Sequence, residues 1–553
     1  MSAPLSVNHY DENFIPGSVN ILFGDDQSSD CSGKPLKRTK DGLILIPQPS
    51  DSPNDPLNWS MSRKMWHFLL VSFITGLTAA TSNDAGAAQD SLNEIYGISY
   101  DAMNTGAGVL FIFIGWSTLF FAPASSLYGR RITYIICLTV GTLGCIWFAS
   151  SRRTADTIWS QMFVGMSEAC AEAQVQQSLS DIFFQHQLGS VLTVYILATS
   201  IGSFLGPLIA QFIASDQSFR WVGWWGAIIC GVTVIVIIFG CEETVFDRAA
   251  HSTIVDSTSI DIESEEANKE QTKKSSSVDI IEKAKESTTD IETQEEKLKP
   301  YLERIKIITP SPYLIGLGFK QYIKRFFLIF KVFALPAVWL SGILWGLQDS
   351  YMTFFLTTED TYFYDAPWNY SDAGVAIMNV ATLIGAVVGC LMSGWLSDKH
   401  VVWIAKRNNG AMEPEYRLYL LFITLIISPV GLIMFGVGAE RNWPWQVIYV
   451  GLGFIGFGWG SIGDTAMSYL MDAYPEIVIQ GMVGVSIINN TLACIFTFAC
   501  SPWLDASGTA NTYIALAVID FVSIGSIVLF LYYGKTFRKN SKNLYISLVE
   551  AMG

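Results

Sequence analysis

Two glutamates lie four residues apart in GMSEACAEAQVQQSLSD, residues 165–181, within a segment long enough to cross a bilayer as a helix. An ionised carboxylate at bilayer depth costs about 2.5–3.5 kcal/mol on insertion scales, so Glu168 and Glu172 need a function or a partner. Side chains at positions i and i+4 share one helix face, with Cβ atoms about 5–6 Å apart. We therefore predict that this face forms the floor of a cation-binding cavity.

The acids in the predicted spans have no basic partner, because no Lys or Arg lies well inside any of the apolar segments. Each buried carboxylate must then be protonated, hydrated within a cavity or matched by a cationic ligand. Glu168 and Glu172 are also close enough to share one proton until a cation arrives, which would link ligand binding to protonation. The alternative is structural: each acid accepts a hydrogen bond from a Ser or Tyr of a neighbouring helix.

The elements that carry these acids follow from composition and from apolar runs. The chain of 553 residues is 50% hydrophobic and 15% charged, whereas soluble domains are about 25% charged. Runs of about 20 apolar residues are long enough to span a bilayer as helices. They predict an all-α membrane protein with twelve transmembrane helices in two six-helix bundles, near residues 66–88, 104–127, 132–150, 156–183, 189–213, 221–241, 333–357, 373–396, 417–438, 445–471, 481–501 and 512–533.

Polar segments divide the chain into five regions. These are an N-terminal tail (1–62), a first six-helix half (63–248), a linker (249–325), a second six-helix half (326–534) and a C-terminal tail (535–553). The linker is charged and rich in Ser and Thr, and it cannot bury enough apolar surface to fold alone, so we expect it to be disordered. Its last part and the residues after it read GFKQYIKRFFLIFKVF. This pattern predicts an amphipathic segment on the anionic cytoplasmic leaflet, with basic residues Lys320, Lys324, Arg325 and Lys331.

Charge also predicts the orientation. Basic residues concentrate on the side that holds both tails and the linker, which predicts that this side is cytoplasmic. The opposite loops are acidic, with Asp90, Glu94 and Asp101 after the first span and Glu359, Asp360, Asp365 and Asp372 after the seventh. These acids could steer cations toward a cavity mouth. Alternatively, the outer loops merely lack Lys and Arg.

The composition does not favour several other classes of protein. The formal charge of −15 is not the basic face that nucleic-acid binding requires. The nine cysteines show neither a disulfide framework nor the spacing of metal ligands. No pairing of a nucleophile with a base is evident, so we do not expect an enzyme. A receptor that signals through long cytoplasmic tails is a further alternative, although the linker contains no folded domain.

The loop after the second predicted span, APASSLYGRR at 122–131, resembles the signature GxxxDxxGRR of the major facilitator superfamily. It keeps Gly129, Arg130 and Arg131 but lacks the first glycine and the aspartate. The equivalent loop after the eighth span, GWLSD, keeps Gly394 and Asp398. Partial copies of one motif in both halves indicate an internal repeat.

The fifth span contains GSFLGPLIA, which resembles the GxxxGP motif of the drug:proton antiporter branch of this superfamily. Gly202 and Gly206 lie one turn apart and let two helices approach closely, while Pro207 bends the span. In the fourth span the branch usually has an arginine where this chain has Gln161. That difference argues against the same coupling chemistry.

Longer strings closely resemble the fungal polyamine and histidinol permeases of this branch, among them TAATSNDAGAAQDSLNEIYGISYD, LSDIFFQHQLGSVLTVYI and NTYIALAVID. The resemblance covers nearly all the spans. It implies a plasma-membrane facilitator that takes up putrescine, spermidine, spermine and related organic cations, driven by the proton gradient and without a cofactor. We expect a monomer in the lipid bilayer whose partner is a small cationic molecule. The alternative, favoured by the motif in the fifth span, is a drug:proton antiporter that exports cationic toxic compounds.

In the facilitator fold the first, fourth, seventh and tenth spans line the central cavity, so the resemblance implies a site on those spans. The expected substrate-binding residues are Glu168, Glu172, Asp349, Asp84, Gln348, Trp345 and Asp464, and the expected proton-coupling residues are Glu168, Glu172 and Asp349. The spacing of the two glutamates is comparable to that between neighbouring amines of putrescine or spermidine. Trp345, Tyr351, Trp459 and Tyr469 could hold an ammonium group by cation–π contact or simply pack. Asp520 lies on a peripheral span and is expected to be structural.

Overall fold

The structure is a computed structural model that describes residues 14–20, 37–39, 44–246, 248, 296–311, 314–364 and 366–552. Twelve long helices dominate this part of the chain. The first half contains α1 (Met61–Asn83), α2 (Tyr100–Tyr128), α3 (Arg130–Ala149), α4 (Thr154–Ile182), α5 (Leu188–Asp216) and α6 (Phe219–Gly240). The second half contains α7 (Pro336–Tyr362), α8 (Asp372–Leu391), α9 (Leu421–Glu440), α10 (Trp445–Ala473), α11 (Val478–Ser507) and α12 (Thr509–Gly525, continued by Ile527–Asn540). Each predicted span coincides with one of these helices, which confirms the predicted fold.

The lengths and apolar character of the helices suit a bilayer. Ten helical segments are long and apolar enough to cross one, and the bent pair Phe319–Ala334 and Pro336–Glu359 makes eleven. The remaining long helix is α4, which is too polar to be counted with them because of its acids and glutamines. Its 29 residues extend about 43 Å. Because α4 packs against both α2 and α3, it is the twelfth helix of the bundle.

The packing of the helices repeats after six. In the first half α1 packs on α5, α2 on α4, and α3 on both α4 and α6. In the second half α7 packs on α11, α8 on α10, and α9 on both α10 and α12. The halves meet mainly where α2 contacts α11 and where α5 contacts α8, which are equivalent pairs under the same repeat. The internal repeat suggested by the two loop motifs is therefore present in the helix packing.

The small residues of the fifth span lie at the contact between α5 and α1. A Cβ atom added to Gly202 would lie 2.2 Å from the carbonyl oxygen of Gly76, and one added to Gly206 would lie 2.8 Å from Cα of Ala80. Pro207 lies inside α5, in the turn that follows. Only a residue without a side chain leaves room for this approach of two backbones.

The loop between α2 and α3 is held by one carboxylate. Gly129 has a φ of +106°, a conformation that favours glycine. Glu243 accepts hydrogen bonds from the backbone N–H groups of Arg130 (3.0 Å) and Arg131 (3.2 Å), which begin α3. Arg131 is buried and donates to the carbonyl oxygen of Ile238 at 2.6 Å. A negative charge at the positive end of a helix is stabilising, so Glu243 stabilises the start of α3.

The N-terminal tail packs on both halves near the ends of the chain. Val19–Asn20 pairs with Ala411–Met412 in a two-stranded antiparallel sheet. Asp55 forms an ion pair with Arg248 at 2.9 Å. Burial opposes the charged form of Asp55, but Arg248 and two backbone N–H groups outweigh burial, so the pKa of Asp55 lies below its usual value. We call this side, where residues 14–20 and the helix Lys542–Met552 lie, the tail end of the bundle.

The expectation of a disordered linker is wrong for the part of it that the structure describes, from residue 296 onward. Arg304 forms an ion pair with Glu242 at 3.2 Å, and the N–H of Thr309 donates to the carbonyl oxygen of Tyr128 at 2.9 Å. Charged residues of the linker, which its composition predicted to be exposed to solvent, instead contact the first half. The more charged stretch, residues 249–295, lies outside the described residues.

We predict that Gly202→Ala destabilises the protein, because the added methyl group would force α5 away from α1. Overpacking of this kind costs about 1–3 kcal/mol. The expected result is a lower midpoint of thermal unfolding, measured on the detergent-purified protein by fluorescence-detected size-exclusion chromatography.

Gly231→Ala in α6 is the matched control. A Cβ atom there meets only the Thr142 methyl group, at 3.9 Å, and alanine favours a helix by about 1 kcal/mol over glycine. This variant should be as stable as the native protein or more so. Equal midpoints for the two variants would contradict close packing at Gly202.

Candidate functional site

Three acids from the two halves of the bundle lie within electrostatic range of one another. Glu168 and Glu172 lie near the middle of α4, and both are half-buried. Glu172 is close enough to repel both Glu168 and Asp349, and Asp349 lies on α7 in the opposite half. Asp349 also repels Glu168. We call these three residues the acid cluster.

The neighbours of the acid cluster are small polar side chains from two further helices, α1 and α11. Ser82 of α1 lies beside Glu168, Ser486 of α11 lies beside Glu172, and Asn489 of α11 lies beside Asp349. The cluster is only partly satisfied by these neighbours, since Oε2 of Glu172 and both amide atoms of Asn489 are buried without a regular hydrogen bond.

Tyr195 of α5 completes the surroundings. Its hydroxyl donates to the carbonyl oxygen of Ala171 at 3.1 Å, and it lies within electrostatic range of both glutamates. Sequence reasoning missed Tyr195, Ser82 and Ser486. Hydroxyl side chains are frequent in all these helices, so residue type alone gave no signal. Their positions relative to α4 could be found only from the packing.

Two tryptophans support Asp349. The indole N–H of Trp459 on α10 donates to the Asp349 carboxylate at 3.0 Å. Trp345 lies one turn before Asp349 on α7, and its ring centroid is 4.7 Å from that of Trp459. Phe204 of α5 packs edge-on against Trp459 at 5.6 Å. Trp345 and Trp459 thus fix the direction of the carboxylate, while Phe204 extends the aromatic wall into the first half.

Gln348 does not belong to the acid cluster, although the sequence suggested it. Its amide donates to Asp520 of α12 at 2.9 Å, and both side chains are buried within the second half. Neighbouring positions on a helix point about 100° apart, so Gln348 and Asp349 face different surroundings. Two of the aromatic residues that the sequence suggested as cation ligands have other neighbours. Tyr351 lies near Asp520, and Tyr469 packs edge-on against Phe530, with ring centroids 6.3 Å apart.

Asp84 is also separate from the cluster. It lies just after α1, in a small cavity inside the first half that is lined by Thr81, Cys145 and Gln161. Its Oδ1 atom is buried without a hydrogen-bond partner. The position of Gln161 in this cavity shows that the residue at the usual arginine position of the branch faces Asp84 rather than the glutamates.

Asp464 and Asp398 lie in a second charged group, which joins the two halves at the tail end. Asp398 accepts hydrogen bonds from the N–H and the hydroxyl of Ser190, at 2.7 and 2.8 Å, at the start of α5. Arg417, just before α9, pairs with Asp398 at 2.8 Å and with Asp472 at 2.5 Å. Asp464 accepts from Thr193 of α5 at 3.1 Å.

The chemistry of the two groups differs. At the tail end a buried arginine neutralises two aspartates, and Asp398 caps the positive end of α5, so these charges fasten the first half to the second. In the acid cluster the carboxylates have no ion pair with Lys or Arg among the residues that the structure describes. The cluster can therefore accept protons or a cation from outside the protein.

Comparison with known proteins agrees with this architecture. A family model described as the Major Facilitator Superfamily matches residues 68–499. Protein HOL1 of Saccharomyces cerevisiae is 56% identical over 571 residues, covering 97% of each chain. An uncharacterised MFS-type transporter of Schizosaccharomyces pombe is 46% identical, covering 97% of this chain and 94% of its own. A probable drug/proton antiporter of Saccharomyces cerevisiae, YHK8, is 22% identical over 87% of this chain and 86% of its own.

Solved structures share the fold at low sequence identity. The proton:xylose symporter XylE matches with a TM-score of 0.58 at 13% identity, covering 86% of this chain and 97% of its own. The human organic anion transporter MFSD10 matches with a TM-score of 0.53 at 12% identity, covering 84% of this chain and 100% of its own. The family match, the relatives of nearly equal length and the repeated six-helix halves agree that this chain belongs to the major facilitator superfamily of membrane transporters.

Proposed function

We propose that this transporter takes up polyamines and related organic cations across the plasma membrane, coupled to protons and by alternating access of its two halves. The observation that carries the proposal is the acid cluster, in which Glu168 and Glu172 of one half face Asp349 of the other without a basic partner among the described residues. The resemblance of the spans to fungal polyamine permeases supports the choice of substrate class.

The geometry suits a flexible cation with more than one charge. Glu168 and Glu172 are spaced by one helical turn, about 5–6 Å at Cβ, and Asp349 offers a third charge from across the interface. One polyamine could place an ammonium group at each side of this interface. Binding would then draw the halves together, because only the closed arrangement satisfies every charge.

Proton coupling follows from the same charges. Three like charges within electrostatic range repel one another, and the repulsion ends only when each charge is neutralised. An ammonium group that pairs with part of the cluster leaves a carboxylate for a proton to neutralise. The halves would close when substrate and proton are both bound, so the two would enter together and the energy of the proton gradient would drive the uptake of the substrate.

We predict that Glu172→Gln abolishes uptake of dications and polycations while the protein still reaches the cell surface. Removal of one partner from a desolvated charge pair costs about 2–5 kcal/mol, so the affinity for spermidine should fall by at least about 30-fold. Uptake of radiolabelled spermidine by cells that produce the variant measures this effect.

Glu303→Gln is the matched control, since it makes the same substitution at an exposed position outside the twelve long helices. It should leave the affinity for spermidine unchanged. Normal uptake by the Glu172→Gln variant, at equal surface abundance, would remove Glu172 from the proposed site.

We predict that uptake is concentrative and depends on the proton gradient. Purified protein in liposomes should accumulate spermidine when the outside is made acidic, because protons and substrate would enter through the same cycle. A protonophore, with the membrane potential clamped, should reduce accumulation to simple equilibration. Accumulation that survives the protonophore would contradict proton coupling but not the cation site.

The second candidate is a drug:proton antiporter that exports cationic compounds. It is favoured by the GxxxGP motif, now located at the contact of α5 with α1, and by the similarity to the probable drug/proton antiporter. The direction of transport separates the two proposals. We predict net entry of radiolabelled spermidine into cells, whereas net exit of preloaded spermidine would support the antiporter.

A further inference from the structure

A short helix lies across the base of the second half. The helix Phe319–Ile329, which we call the surface helix, continues through Phe330–Ala334 and meets α7 at an angle of 84°. If α7 crosses the bilayer, the surface helix runs almost parallel to the membrane plane. A helix in that position borders the headgroups of one leaflet.

The surface helix has three distinct faces. Arg325, Leu328 and Ile329 are buried against the protein. Phe319, Ile323 and Phe327 repeat every four residues and are exposed, with Phe319 71% and Phe327 65% exposed. Lys320 follows Phe319 in the sequence and Lys324 follows Ile323, so each lysine lies about 100° further round the helix. Both lysines are exposed on this adjoining face. An apolar face beside a basic face is the pattern of a helix that lies at the boundary of acyl chains and anionic headgroups.

The surface helix touches both halves of the transporter. Toward the first half, the hydroxyl of Tyr322 donates to the carbonyl oxygen of Phe120 on α2 at 2.9 Å, and Phe326 packs on Phe120 at 5.3 Å. Toward the second half, it contacts α11 and the helix Lys542–Met552. Val332, in its continuation, packs near Gly484 of α11. It therefore bridges α2 and α11, one of the two main contacts between the halves.

An apolar groove begins where the surface helix ends. The groove of about 410 Å³ lies between α7 and the continuation of α12, and it is lined by Ala334, Trp339, Leu340, Ile343, Leu529 and Phe530, among others. Such a volume falls in the range of about 300–1,000 Å³ that small-molecule sites occupy. Lys331 is exposed one turn before Ala334, which places a positive charge near one end of an apolar groove.

We propose that the surface helix and this groove bind an anionic phospholipid of the leaflet that faces the tail end. Lys320, Lys324 and Lys331 would hold the headgroup, and the groove would hold an acyl chain. The charge favours an anionic lipid over a zwitterionic one, because none of these lysines has an ion pair among the described residues. Because the surface helix bridges α2 and α11, the bound lipid would stabilise the contact between the halves.

The test is native mass spectrometry of the purified full chain titrated with phosphatidylserine or with phosphatidylcholine of the same acyl chains. We expect the native protein to bind phosphatidylserine in preference to phosphatidylcholine. The variant Lys320→Gln/Lys324→Gln/Lys331→Gln should lose that preference, because each lysine near the surface raises the affinity for an anionic lipid by about fivefold. All three positions are exposed, so the variant should elute from size exclusion as the native protein does.

The matched control is Lys297→Gln/Lys299→Gln/Lys306→Gln, which removes three exposed lysines near the tail end but outside the surface helix. It should keep the preference. Equal binding of the two lipids to the native protein, or an equal loss in both variants, would overturn the proposal. Glycerophosphoserine, which lacks acyl chains, should not compete, and efficient competition would indicate a soluble ligand instead. This test needs no transport measurement, so it is independent of the proposed substrate.

Discussion

The structure depends on one constraint: a charge held inside a bilayer must be neutralised, and within the part of the chain that the structure describes no Lys or Arg pairs with the acid cluster. Glu168, Glu172 and Asp349 repel one another across the interface of the two halves. Removing two ions from water and leaving either unpaired costs several kcal/mol, more than a single hydrogen bond returns. The cluster is therefore stable only when protons, water or a cation neutralise or hydrate its carboxylates.

At the tail end, by contrast, the buried carboxylates are paired with a cation of the protein itself. Arg417 neutralises Asp398 and Asp472 within the protein, and Asp398 also caps α5. These charges need nothing from solution, and they join the halves at one end. The hydrogen bonds that Asp398 accepts from Ser190 cross between the halves, whereas the ion pairs of Arg417 lie within the second half. The satisfied charges thus join the halves, whereas the unsatisfied ones form the candidate site.

Sequence reasoning predicted the fold and three acids that the structure brings together, but it did not predict which way each helix face points. Apolar length locates twelve spans, and an i, i+4 pair of acids locates one face of α4. Periodicity does not say how far each helix is rotated about its own axis, so Gln348 was grouped with Asp349 although the two side chains diverge. Asp84 lies apart from the acid cluster for the same reason, because its side chain faces the interior of the first half. For Tyr195 the contacts depend on where α5 crosses α4, which no local pattern contains.

The position of the acids on α4 has a further consequence for how the protein is assembled. α4 is the one long helix in the described part of the chain that is not apolar enough to be counted as a span either alone or together with a neighbouring helix. Its polar face is shielded by α1, α5 and α11, and its apolar face packs on α2 and α3, so it becomes stable in the bilayer only when its neighbours are present. Leucine in place of either glutamate would ease insertion and improve packing, yet it would remove a charge from the site. If Glu168 and Glu172 bind the substrate as proposed, they lower the stability of α4 in the bilayer for the sake of binding, and the loss is tolerable because α1, α5 and α11 shield the polar face.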